Sequence, residues 1–108
     1  MREARILFKE EEAGILIQEN DGTFTFRYKD NWMADSEKQG ICLTLPKTQQ
    51  EYYSKYLFPF FYNMLPEGAN KQVVCKHLRI EPDDYFGLLL TIAKTDTIGA
   101  VRVIKIEQ

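Results

Sequence analysis

The sequence predicts an α+β fold: a small, strongly curved antiparallel sheet of about five strands, barrel-like, carrying three short helices. All of it forms one domain over residues 1–108. Three observations predict this. The first thirty residues alternate apolar and polar side chains with period two, broken by turn chemistry. From Tyr56 to Ile92 the apolar spacing becomes helical, punctuated by Pro59, Pro66, Gly68 and Pro82. Ala100–Ile106 then returns to a β-branched alternating pattern.

The elements follow in order. Ala4–Lys9 sets Ile6 and Phe8 on one side and Arg5, Leu7 and Lys9 on the other. Glu10-Glu11-Glu12 fits a solvated turn, a better reading of three adjacent carboxylates than a metal site, and Gly14 reopens the apolar stretch Ile15-Leu16-Ile17. Asn20-Asp21-Gly22 is the clearest turn signal, because all three residue types tolerate positive φ. Phe24, Phe26 and Tyr28 then alternate with polar residues, predicting a half-buried strand with its aromatic face inward. Asp30–Asp35 reads as a capped turn or single helical turn with Asp30 at the N-cap. Ile41–Leu45 reads as a short edge strand stopped by Pro46, and Thr48–Ser54 as a polar loop.

The stretch from Tyr56 to Gly68 concentrates aromatic residues around Phe58, Phe60, Phe61 and Tyr62. Pro59 suits a first helical turn, while Pro66 and Gly68 stop the helix. Asn70–Leu78 predicts a second helix, with Val74 and Leu78 on one face and Val73 and His77 alongside. Pro82, Asp83 and Asp84 suit the first turn of a third helix, where the macrodipole favours acids. Tyr85, Leu88, Leu89 and Ile92 form its core stripe. The last strand, with Val101 and Val103 on one side, is expected to pair back onto the N-terminal sheet.

Bulk properties exclude several functions. With 14 basic and 16 acidic residues the net charge is −2, and the order of residues shows no basic stripe to replace phosphate counterions. Cys42 and Cys75 are widely separated and form no CxxC or Cys/His cluster, so neither a disulfide framework nor zinc is expected. The N-terminus carries no apolar signal region, and the run Tyr56–Leu65 is about half a membrane span. A cytoplasmic protein with no membrane contact is the expectation.

No catalytic constellation emerges. P-loop, GxGxxG, GxSxG and HExxH patterns are all missing, and His77, the single histidine, has no sequence claim to a catalytic role. Glu67, Asp83, Asp84 and Asp96 could be gathered into a carboxylate pair, yet nothing in their spacing requires it.

Five segments in register resemble the N-terminal subdomain of the HipA family of serine/threonine kinase toxins. They are Gly14-Ile15-Leu16; Phe24-x-Phe-x-Tyr28 with Trp32; Leu43-Thr44-Leu45-Pro46; Phe60–Gly68, similar to an "FFxNLLPEG" signature; and Asp84–Leu89 with Asp96–Val101, similar to "DxFxLL…GxDxIGAV". Ala93-Lys94 departs from the pattern, where the family more often has a glycine before the aspartate. In the family this subdomain leads into a kinase body that holds the ATP site. The sequence has no Gly-rich loop, strand lysine or catalytic Asp–Asn pair of that type.

The resemblance therefore implies a non-catalytic chain, similar to the separately encoded HipS-like protein, that docks on a HipA/HipT-like kinase and modulates or neutralises it. The alternative it implies is a structural subunit that completes the kinase fold in trans and supports its activity. No cofactor, metal, small-molecule substrate or direct nucleic-acid contact is expected. A link to DNA would run through a HipB-like helix-turn-helix protein. The candidate contact residues are Trp32, Leu65, Pro66, Glu67, Gly68, Asp96 and Gly99. Each has a plainer role beside it: Trp32 closing one end of the sheet, Leu65 in the core, Gly68 and Gly99 serving backbone geometry.

Overall fold

The computed structural model describes residues 1–63, 65, 68–81, 83–92 and 101–106. Its strands are β1 (Arg2–Phe8), β2 (Glu11–Gln18), β3 (Phe24–Tyr28), β4 (Glu51–Ser54) and β5 (Val101–Lys105). The helices are α1 (Asp30–Ala34), α2 (Pro59–Tyr62), α3 (Gly68–Leu78) and α4 (Tyr85–Ile92). The strands form one antiparallel sheet in the order β4-β3-β2-β1-β5. The sheet is open rather than closed into a barrel, with β4 and β5 at its two edges.

Alternation decides the core. Ala4, Ile6, Leu16, Phe26, Tyr28 and Val103 are fully buried from the sheet, and Phe61, Phe86, Leu88 and Leu89 meet them from the helices. Burying a large apolar side chain contributes about 1.5–3 kcal/mol, so this aromatic layer is a main source of stability. Phe61 anchors it, with ring centroids 6.1 Å from Phe26, 6.4 Å from Phe58 and 5.3 Å from Phe60.

Turn chemistry sets the register. The β1–β2 loop is two residues, Lys9 and Glu10, both at positive φ (51° and 67°), which is the pattern of a type I′ turn. The turn is thus one residue earlier than the acidic triplet suggested, and Glu11 and Glu12 belong to β2. At the next turn Gly22 sits at φ 89°, and the Asp21 carboxylate accepts the Thr23 N–H at 3.0 Å.

Three local expectations give way here. Residues 41–45 are not a strand; they form an irregular loop whose Ile41 and Leu45 plug the core, at 6% and 2% exposure. The Tyr28 hydroxyl holds that loop, accepting the Ile41 N–H at 2.9 Å and donating to the Leu45 carbonyl. The fourth strand lies instead in the segment read as a loop, pairing Glu51–Ser54 with Arg27–Phe24. Asp30 is not the N-cap of α1. Lys29 occupies that position, while the Asp30 carboxylate accepts bonds from Gln50 (2.7 Å) and Arg27 (3.3 Å).

In the aromatic stretch α2 ends at Tyr62 with Asn63 as its C-cap, and Gly68 opens α3 rather than stopping a helix. Among the described side chains of α3 Cys75 is buried, whereas Val73 is 67% and Leu78 40% exposed. The apolar residues of α3 spread around more than half of the helix, so spacing alone does not select the inward face.

Candidate functional site

Trp32 lies where β1 runs out. It is 4% exposed, its ring meets Phe8 edge-on at 6.0 Å, and its indole N–H donates to the Gln39 carbonyl at 3.0 Å. The Lys38 ammonium stands 5.3 Å above the ring, a cation–π geometry that roofs it. Around it the acidic triplet is matched by bases: Glu10 with Arg102 at 2.8 Å, Glu11 with Lys38, and Glu12 with Lys29 at 3.3 Å and Arg5 at 3.8 Å. A polar hollow of about 500 Å³ opens beside Trp32, Asn31 and Asp35. The indole closes this end of the sheet.

Leu65 is elsewhere, buried to 8% exposure after α2, with its N–H on the Tyr62 carbonyl at 3.0 Å. Gly68 is the first residue of α3. Pro66, Glu67, Asp96 and Gly99 lie outside the described residues. Of the seven candidates, then, Trp32, Leu65 and Gly68 have described positions, and Trp32 and Leu65 are both buried in the core.

The other end of the sheet holds a constellation that spacing did not reveal. Arg2 at the start of β1 donates to Gln18 Oε1 (2.8 and 2.5 Å) and grips the Asp84 carboxylate with both terminal nitrogens, at 3.2 and 2.5 Å. Its guanidinium also stands 5.2 Å from the Phe86 ring centre, and Phe86 stacks on Phe24 at 6.2 Å. Asp84 is the N-cap of α4, accepting the Gly87 N–H at 3.1 Å. The Arg2 hydrogen bond, helped by the Gly87 N–H, holds the Asp84 carboxyl below its ordinary range. Partners 82 residues apart leave no local signal; Asp84 three residues before Gly87 is an N-cap spacing, yet the helical pattern alone placed the acid inside the helix.

Beside this clamp a cleft of about 400 Å³ is lined by Phe24, Leu57 and three tyrosines, Tyr56, Tyr62 and Tyr85, with Lys55 and Asp83 on its rim. Tyr62 and Tyr85 meet edge-on at 5.5 Å. Tyr56 is 78% and Tyr62 44% exposed.

Among the described residues no group of three or more His, Cys, Asp or Glu could hold a metal ion, His77 is exposed on the last turn of α3, and Cys42 and Cys75 are free thiols. No described helix is long and apolar enough to cross a membrane.

A family model described as the HipA N-terminal domain matches residues 4–104. An uncharacterized protein of Haemophilus influenzae is 32% identical over 105 residues, spanning 95% of this chain and 92% of its own. Putative kinase Y4mE of Sinorhizobium fredii is 27% identical over 96 residues, which are 89% of this chain and 23% of the kinase. Putative kinase Y4dM of the same organism is 28% identical over 99 residues, 86% and 24% of the two chains. Among solved structures, the N-terminal domain of HipA toxin superposes with a TM-score of 0.73 at 28% identity, covering all of this chain and 95% of that one. The chain thus spans about a quarter of the Sinorhizobium proteins and nearly all of the Haemophilus one.

Proposed function

The chain belongs to the HipA N-terminal domain family, and from that premise we propose that it is a non-catalytic binding module for a HipA/HipT-like serine/threonine kinase. It docks on the kinase and modulates or neutralises it, as the antitoxin-like subunit of a toxin–antitoxin system. One observation carries this reading. The same domain occurs as about a quarter of putative kinases in one organism and as nearly all of a small protein in another. A unit that exists both joined to a kinase and apart from one is suited to associate with a kinase in trans.

The physical route is a population shift. Kinase chemistry needs the phosphate-covering loop and the lobes correctly placed. A chain that binds one arrangement in preference shifts the balance by its differential affinity, and about 1.4 kcal/mol of preference changes the ratio tenfold. The contacts proposed for this role are Leu65, Pro66, Glu67, Gly68, Asp96 and Gly99, while Trp32, roofed by Lys38, keeps its plainer role of closing its end of the sheet. We read the protein as cytoplasmic and place any DNA link in a HipB-like helix-turn-helix partner.

The fused arrangement favours a second reading, in which the chain completes the kinase fold and supports its activity. A phosphorylation assay on the purified kinase, with and without this chain, separates the two. Loss of autophosphorylation on addition supports neutralisation, and a gain supports the scaffold. Failure of the two chains to co-purify removes both. Glu67→Arg tests the assigned contact: weaker binding at an unchanged unfolding midpoint is expected, and a parallel fall in both measurements rejects it.

A further inference from the structure

We infer that the tyrosine-lined cleft beside the Arg2–Asp84 clamp is the face that meets the kinase chain. This rests on the reading proposed above and deepens it by naming the surface.

The sheet register supplies the first part of the argument. Arg2 pairs with Gln18, Gln18 with Phe24, Phe24 with Ser54, and Ala4 with Lys105. The start of β1, the end of β2, the start of β3 and the ends of β4 and β5 therefore share one end of the sheet. Gln18, Phe24, Lys55 and Tyr56 put the cleft at that same end. The backbone leaves β5 there too, since the Ile106 N–H donates to the Glu3 carbonyl at 3.0 Å.

The relatives supply the second part. The family match is to an N-terminal domain and stops at residue 104, within β5. In the Sinorhizobium putative kinases the matched segment is 23–24% of the protein. The remaining roughly three quarters must leave the domain from the end of β5, and a body tethered by its first residue sits against the end it leaves. A kinase chain that takes up the same position in trans meets the same end.

The chemistry of the surface fits that occupant. Tyrosine covers a large area with few rotatable bonds and carries a hydroxyl for the rim, which enriches it at protein interfaces. Tyr56 and Tyr62 stand out on an apolar floor of Phe24 and Leu57, with Lys55 and Asp83 offering one charge of each sign. At the far end, by contrast, Trp32 is roofed by Lys38 and each member of the acidic triplet faces a base of this chain.

The test is site-directed photo-cross-linking of the full chain in the cells that produce it, with p-benzoylphenylalanine at position 56 or 62. Positions 37, beside Trp32, and 43, where Leu43 is 97% exposed, serve as comparisons. Cross-links from 56 and 62 to a protein with kinase sequence, and none from 37, are expected. The same kinase captured from 37 or 43 but not from 56 or 62 overturns the surface and leaves the docking function standing. A cross-linked second copy of this chain from 56 overturns the assigned occupant. No kinase captured from any position overturns the function as well. In the purified complex Tyr56→Arg is expected to weaken binding at least tenfold with no change in unfolding midpoint, because Tyr56 is exposed. Unchanged binding overturns the surface.

Discussion

Removing one oxygen atom, by Tyr28→Phe, is expected to cost the fold about 2–4 kcal/mol. The Tyr28 ring is fully buried in the aromatic layer, edge-on to Phe26 at 4.8 Å, and phenylalanine keeps that packing. What is lost is the hydroxyl that accepts the Ile41 N–H at 2.9 Å and donates to the Leu45 carbonyl. Ile41 and Leu45 are themselves buried, so water does not readily replace it. Each buried backbone group left unpaired costs about 1–3 kcal/mol. For a domain near this size each kcal/mol lowers the midpoint by about 4–8 °C, giving a fall of roughly 10–25 °C. Thermal unfolding by circular dichroism, repeated in urea to check that the m-value is unchanged, measures it. Tyr52→Phe is the control: its hydroxyl makes one bond, to the Pro46 carbonyl, from a half-buried position, and about 1 kcal/mol is expected. A Tyr28→Phe loss below about 1 kcal/mol, or one equal to the control, refutes the idea that this hydroxyl holds the 41–45 loop in place.

The same group makes the fold sensitive to alkali. Burial pushes the Tyr28 hydroxyl up to about 12 from an ordinary value of 10.0, so between those pH values the unfolded chain loses a proton that the folded chain keeps. Its contribution is intact below pH 10 and is lost as pH rises toward 12, by about 2–3 kcal/mol at 1.36 kcal/mol per pH unit; urea midpoints of the wild type should fall over that range and those of Tyr28→Phe should fall less, since Tyr53 and Lys38, both raised by their carboxylate partners, titrate in either chain. Gly87→Ala is expected to destabilise by about 1–2 kcal/mol in spite of alanine's better helix propensity, because the new Cβ would collide with the Asp84 carboxylate and displace the cap; a more stable variant contradicts this. Lys9→Asn with Glu10→Gly gives the β1–β2 turn the residues its positive φ angles favour. It should raise the midpoint by roughly 4–8 °C for about 1 kcal/mol gained, and no rise means that the lost Glu10–Arg102 pair offsets the relief.

The parts legible in the sequence are those governed by near neighbours. Alternation in residues 4–8 separated the two sides of one strand, alternation in 24–28 identified another together with its inward aromatic face, and Asn20-Asp21-Gly22 identified the turn between β2 and β3. Residues 41–45 misled because Ile41 and Leu45 point into the core from an irregular backbone, which produces the same apolar spacing as a strand. The real edge strand escaped notice for the opposite reason. Tyr53 is 71% exposed and Glu51 sits in an ion pair with Arg27, so β4 lacks an apolar face. The Arg2–Asp84 clamp and the tyrosine cleft depend on residues brought together only by the pairing register of β1, β2 and β3 and by the packing of the start of α4 on that end of the sheet. The family resemblance reached further, because it reads motifs already tied to one fold. It did not single out the cleft, because Tyr56 falls outside the matching segments while Tyr62 and Tyr85 fall inside them without standing out as contacts.

The strand order also sets a timetable for synthesis. β1 lies between its hairpin partner β2 and the late-made β5, with about ninety residues between Phe8 and Val101. A hairpin closes in microseconds, but at 5–20 residues per second the ribosome needs about 5–20 s to supply β5. For that interval the nascent chain carries β1 with one row of backbone donors and acceptors uncovered, the kind of edge to which other chains adhere. A release or cleavage that removes β5 would make that interval permanent, and such a product should aggregate while the chain that keeps β5 stays dispersed.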